Sequence, residues 1–140
     1  MGRGLNYANA YEFAIKMMET CYVVAERFSS ADFLHGPIAL VEPSFPVFAF
    51  APAGVTWASI GQTLAKLHGL RAEIVAITDR ANREAEGTAT RVIRIPRRIR
   101  EALTAIPYIV PAQIFTACLA AEKGLDPDRP RMLSKVTLTI

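Results

Sequence analysis

The sequence predicts an α/β fold, a three-layer α/β/α sandwich around a mainly parallel sheet. Three observations predict it. Segments with apolar residues every three or four positions alternate with short β-rich runs along the chain. Those runs, such as "FPVFAFAP" at 45–52, are almost continuously apolar, the pattern of strands covered on both faces. The 140 residues, 51% hydrophobic, supply one core of single-domain size.

The chain opens on "GRGLNY", which looks like the glycine-containing loop that follows the first strand of a parallel α/β unit, without that strand. From Ala8 to about Ala25, Phe13, Met17, Cys21 and Val24 recur at helical intervals. Ser29 or Ser30 can cap a short helix around Ser30 to Leu34, and Gly36-Pro37 stops it. Phe45 to Pro52 is a buried strand closed by prolines. "TWASIGQTLAKLHG" is a cover helix with Thr56 as cap, Trp57, Ile60, Leu64 and Leu67 inward, and Gly69 as stop. "AEIVAITD" and "TRVIRIP" are two more strands separated by the polar stretch "RANREAEG". A last helix runs from about Pro111 to Lys123, ended by Gly124 and followed by the proline-broken tail 125–140.

Composition narrows the function classes. Sixteen basic residues against thirteen acidic ones give a charge of only +3, which does not point to nucleic acid. The one basic cluster, Arg91, Arg94, Arg97, Arg98 and Arg100, lacks interleaved aromatics and is read as a solvated sheet edge and helix start. Cys21 and Cys118 have no metal or redox spacing and are read as small buried residues in a reducing compartment. No apolar run is read as a membrane span and no signal peptide is visible, so the expected place is the cytoplasm, without a membrane partner. Glycine-rich phosphate loops, a nucleophile elbow and metal-ligand spacings are absent, so neither cofactor nor metal is expected.

Three places carry candidate chemistry. Glu12, Lys16 and Glu19 fall at i, i+4 and i+7, within an arc of roughly 60° on a helix, away from Phe13 and Met17. Two readings stand open: a solvated ion-pair stripe, or a carboxylate held beside a cation and able to move a proton between neighbouring carbons. His35, in "DFLHGPIAL", sits at a helix end or in the loop after it, where a histidine is either a packed cap or a proton-exchanging group. His68 is explained by the carbonyls and dipole of its helix end. Lys135, in the closing "RPRMLSKVTLTI", is a lone lysine in a short polar tail.

Read in order, "GRGLNY", "YEFAIKMMET", "AERFSSADFLHGPIALVE" and "GLDPDRPRMLSKVT" resemble the second half of the sugar isomerase (SIS) unit of glucosamine-6-phosphate synthase. They resemble more closely the glutaminase-free relatives that act as glucosamine-6-phosphate deaminases. The likeness covers almost the whole chain. It implies that Glu19 is the acid/base moving a proton between C1 and C2 of an open-chain hexose phosphate, with Lys16 and Glu12 as charged neighbours. It implies that His35 assists ring opening, reaching a partner subunit's site, and that Lys135 lies close to the sugar carbonyl on a lid-like tail. The chain is then expected to be a sugar-phosphate isomerase or aminosugar-phosphate deaminase domain, 1–140, with 125–140 as its catalytic tail. The alternative is a sugar-phosphate-sensing module without catalysis.

The chain also departs from that pattern. The Ser/Thr-rich loop that holds the sugar phosphate lies in the family's first half and has no counterpart here. No glutaminase segment or N-terminal cysteine nucleophile is present, and "VTLTI" replaces the acidic ending of the synthase. The expected partners are a sugar phosphate and either a second copy or the missing first half, because a sheet lacking its first strand leaves an open edge.

Overall fold

The structure, a computed structural model, describes residues 1–97 and 99–133; Arg98 and residues 134–140, Lys135 among them, lie outside the described residues. Helix α1 is Asn6–Cys21 and α2 Ser30–Phe33, followed by a 3-10 turn at Pro37–Leu40. Strand β1 (Pro46–Phe50), α3 (Trp57–Gly69), β2 (Glu73–Asp79), α4 (Glu84–Thr88) and β3 (Arg91–Ile95) follow, then a 3-10 turn at Glu101–Leu103 and α5 (Ala105–Glu122). The strands form a parallel sheet in the order β1-β2-β3, with Val47 opposite Ile74 and Ile77 opposite Ile93.

Alternation along the strands splits the core into two layers. On one face Phe50, Ile77 and Ile95 pack with Phe13 and Met17 of α1 and Tyr108 and Ala112 of α5. On the other, Val47, Ala49, Ala51 and Ile74 pack with Ile60, Leu64 and Leu67 of α3 and Phe33 of α2. The expected three-layer α/β/α arrangement is therefore present. Each fully buried large side chain contributes roughly 1.5–3 kcal/mol.

Backbone satisfaction explains the local details. Ser29 caps α2 as expected, its Oγ accepting from Asp32 N–H at 3.1 Å. Thr56 does not cap α3 with its side chain; its hydroxyl donates to the Glu101 carboxylate. Helix α1 stops at Cys21, four residues short of the expected end, because Tyr22 turns left-handed (φ 53°, ψ 39°) and bonds its N–H to Met17 O. Val24, expected on the inner face, is 83% exposed. The polar stretch between the second and third strands holds α4, an element the sequence reading did not assign.

Helix α5 begins six residues before Pro111, the expected start. Pro107 sits in the first turn, where no N–H is needed, and Pro111 leaves only the Pro107 carbonyl without its helical donor. At 18 residues and mean hydropathy 1.3, α5 does meet the length and composition of a spanning helix, against the expectation that no run would. It lies instead along α1 and the sheet, with Tyr108, Ala112, Thr116 and Ala120 buried. Cys21 is buried as expected, whereas Cys118 is exposed; both are free thiols.

Outside β1 the chain start makes one step of a parallel ladder. The Met1 nitrogen donates to Phe48 O, and Met1 O accepts from Phe50 N–H at 3.0 Å. Gly2 then bridges Ser29 in parallel sense.

Candidate functional site on the first helix

Helix α1 presents its charged stripe because Phe13, Ala14, Met17 and Cys21 are spent on the core. Its start is fastened by buried amides: Asn6 Nδ2 donates to Thr104 Oγ1 at 2.6 Å, and Asn9 Nδ2 to Ala105 O at 3.0 Å. Near its end Cys21 Sγ reaches Thr116 O at 3.2 Å. Both ends are thus fixed to α5 or to the turn before it, which gives the stripe a rigid base.

On that base the structure brings together three of the candidates. Lys16 Nζ donates to Glu19 Oε2 at 2.9 Å and lies 4.0 Å from Glu12 Oε1. The side chains of Lys16, Glu12 and Glu19 are 38%, 42% and 34% exposed, neither fully solvated nor shut away. The Glu19 hydrogen bond holds the Lys16 ammonium above the usual lysine range, with partial burial opposing and the Glu19 and Glu12 charges adding to it. Lys16 therefore stays a cation near neutral pH.

His35 is exposed in the loop after α2, between Leu34 and a Gly36 whose φ of 146° favours glycine. Among the described residues no hydrogen bond or ion pair links it to the stripe on α1. His68 bonds through Nδ1 to Thr88 O at 3.1 Å, a carbonyl of α4 rather than of its own helix end. Lys135 lies outside the described residues. The tail leading to it is anchored beside the stripe: Arg131 N–H donates to Tyr22 Oη at 2.8 Å, and its guanidinium lies 4.5 Å from the Tyr22 ring centroid.

Two features escaped the sequence reading. Tyr22, one turn beyond Glu19, holds the tail; an aromatic at a helix end gave no signal of that. Glu101 fills an anion cradle in the loop after β1, accepting from Val55 N–H at 2.6 Å, Thr56 N–H at 3.2 Å and the Thr56 hydroxyl. Gly54 has a φ of 156°, which side chains rarely adopt, and a Cβ there would lie 2.1 Å from Glu101 Oε2, so that carboxylate would have to shift. With its amides taken by the chain's own carboxylate, this loop cannot hold a substrate phosphate as it stands. Neither the cavity of about 360 Å³ beside it nor an apolar groove of about 480 Å³ along β1 is lined by Glu12, Lys16 or Glu19.

Known proteins resemble this arrangement over nearly its whole length. The SIS domain family model matches residues 1–123. Glutamine–fructose-6-phosphate aminotransferase (isomerizing) from Pyrococcus horikoshii is 38% identical over 135 residues, 96% of this chain and 22% of the relative. The chain thus spans about a fifth of the length of the curated relatives it matches. The C-terminal domain of glucosamine-fructose-6-phosphate aminotransferase from Francisella tularensis superimposes with a TM-score of 0.78 at 27% identity, covering 91% of this chain and 36% of that one. Glucosamine-6-phosphate deaminase from Thermotoga maritima gives a TM-score of 0.70 at 25% identity, covering 96% and 38%. The parallel three-stranded sheet, its two helical layers and the match over residues 1–123 place the chain in the SIS domain family.

Proposed function

We propose that the chain is the second half of a phosphosugar isomerase or deaminase unit, and that Glu19 is its acid/base. The observation that carries this is the Lys16–Glu19 contact of 2.9 Å on a helix fixed at both ends. A carboxylate so placed takes the proton from one of C1 and C2 of the open-chain sugar phosphate and returns it to the other, on one face of an enediol or enolamine. Lys16, held as a cation, balances the charge of Glu19 and Glu12 while the proton is away. Glu12 keeps Lys16 in place from the opposite turn.

Arg131 docked on Tyr22 supports a tail that passes the stripe. Lys135 follows Arg131 by four residues, a reach of at most about 14 Å, and we assign its amine to a carbonyl held over Glu19. There it polarises the oxygen on which charge develops. His35, exposed and away from the stripe, assists ring opening in the site of a partner subunit. The phosphate is held by the first half of the unit, in agreement with the occupied cradle at Glu101. No cofactor enters this chemistry.

The test is a hybrid in which this chain replaces the matching segment of the Thermotoga maritima deaminase. Ammonia and fructose 6-phosphate formed from glucosamine 6-phosphate support the proposal. A hybrid that folds and binds the sugar phosphate but produces neither, over background, contradicts it and favours a sensing module.

A further inference from the structure

We propose that α5 pairs with α5 of a second copy of this chain, antiparallel about a twofold axis that crosses the helix near Ala112. The inference uses the outward face of one helix and no catalytic residue, so it stands apart from the function proposed above.

From Ala105 to Ala121 the helix carries no charged residue, and the core spends only one row of it, Tyr108, Ala112, Thr116 and Ala120. A second row faces away from the sheet. There Leu103, Ile106, Val110 and Ile114 are 54%, 73%, 46% and 58% exposed, and the exposed Ala117 and Ala121 continue the same three- and four-residue spacing. Single apolar side chains on a surface are ordinary. A continuous row is not: these four large side chains alone present on the order of 400 Å², the size at which a patch on a monomer carries a function. A covered seam also accounts for a mean hydropathy of 1.3 in a helix with 22% of its residues buried.

The occupant follows from the order of sizes along the row. Bulk falls from Leu103 and Ile106 at one end to Ala117 and Ala121 at the other. Antiparallel pairing sets Leu103 against Ala121 of the second copy, Ile106 against Ala117 and Val110 against Ile114, so large side chains fill the space over small ones. Parallel pairing would oppose Leu103 to Leu103 and Ala121 to Ala121, wedging one end apart and leaving a void at the other. Charge favours the same sense. Among the described residues neither Arg100 nor Glu122 has an ion pair, and the antiparallel arrangement carries each Glu122 to the end where the second copy presents Arg100. Both copies use one patch, so the contact closes at two. Such a pair buries on the order of 1,000 Å², the low end for specific association, and we expect a dissociation constant of about 10 μM.

Sedimentation equilibrium of the chain in reducing buffer, from about 1 to 300 μM, should show monomer and dimer exchanging. Ile106→Glu should weaken the dimer about tenfold or more and leave Tm unchanged, because this side chain already lies 73% exposed. Disulfides formed with oxidised glutathione, in a Cys118→Ser background, read the orientation. Mixing the Ile106→Cys and Ala117→Cys proteins should give a covalent heterodimer. Either alone should not cross-link, since the twofold axis holds like positions roughly 16 Å apart along the helices, beyond disulfide reach. Three results would overturn the proposal: a monomer at about 300 μM, a dimer that Ile106→Glu leaves intact, or covalent homodimers from a single variant as readily as from the mixture. No catalytic step enters these readouts, so inactivity of the hybrid enzyme leaves the test unaffected.

Discussion

Replacing Tyr108 by phenylalanine tests how α5, the floor on which α1 rests, is tied to the sheet. Tyr108 and Asp79 are both fully buried, and Tyr108 Oη donates to Asp79 Oδ2 at 2.9 Å. The other carboxylate oxygen keeps a 2.8 Å bond from Ala81 N–H. Tyr108→Phe changes little volume and opens no cavity, so the loss is that of one hydrogen bond to a buried acidic group, about 1.5–3 kcal/mol. Burial and the Asp79 bond both raise the phenol's pKa, so the tyrosine is the donor throughout the working range. Near this chain length about 2 kcal/mol corresponds to a fall in Tm of roughly 4–8 °C. Urea titration should show a lower midpoint at unchanged m-value. A loss below about 0.5 kcal/mol, within the usual range for surface changes, would refute the reasoning, because Asp79 would then have another donor ready.

Other outcomes follow from the same geometry. Gly54→Ala should destabilise the fold, since its Cβ would meet Glu101, and the added change Glu101→Ala should recover part of the loss; paired melts measure the coupling. Tyr22→Ala in the hybrid enzyme should lower kcat by about tenfold or more with little change in KM, because the tail loses its anchor beside Glu19; an unchanged kcat would detach the tail from the chemistry. Burial lowers the Met1 amine to about 5 from 8.0, so in the polypeptide beginning at Met1 folding must expel a proton between about pH 5 and 8. Stability from this group is full above pH 8, falls as pH drops towards 5 and is level below it. Acetylating the amine should remove that slope in pH-dependent denaturant titrations.

Elements whose pattern is local were legible in the sequence. The apolar run at 45–52 contained β1 because its core strand needs no partner to declare itself, and Ser29 capped α2 through a bond three residues away. Elements governed by distant groups were not legible. Thr56 reads as a cap, but Glu101, forty-five residues on, takes its hydroxyl. Pro111 reads as a helix start, but burial of Tyr108 and its bond to Asp79 fix the preceding turn as helix. At the site, the spacing of Glu12, Lys16 and Glu19 put them on one face, whereas the Lys16–Glu19 contact and the Arg131–Tyr22 anchor depend on rotamers and on a fold that spacing does not encode.

Solvent-deuterium uptake at C1 and C2 of the sugar phosphate tests Glu19 most directly. Proton NMR of the hybrid enzyme in deuterated buffer should show exchange with the native glutamate, and Glu19→Gln should cut its rate by about a hundredfold or more, with sugar-phosphate binding retained. Glu12→Gln should slow it far less, since Glu12 lies 4.0 Å from Lys16 and serves only to hold the cation. Exchange at the native rate in Glu19→Gln would contradict the account, and would return the stripe on α1 to an ordinary solvated row of ion pairs.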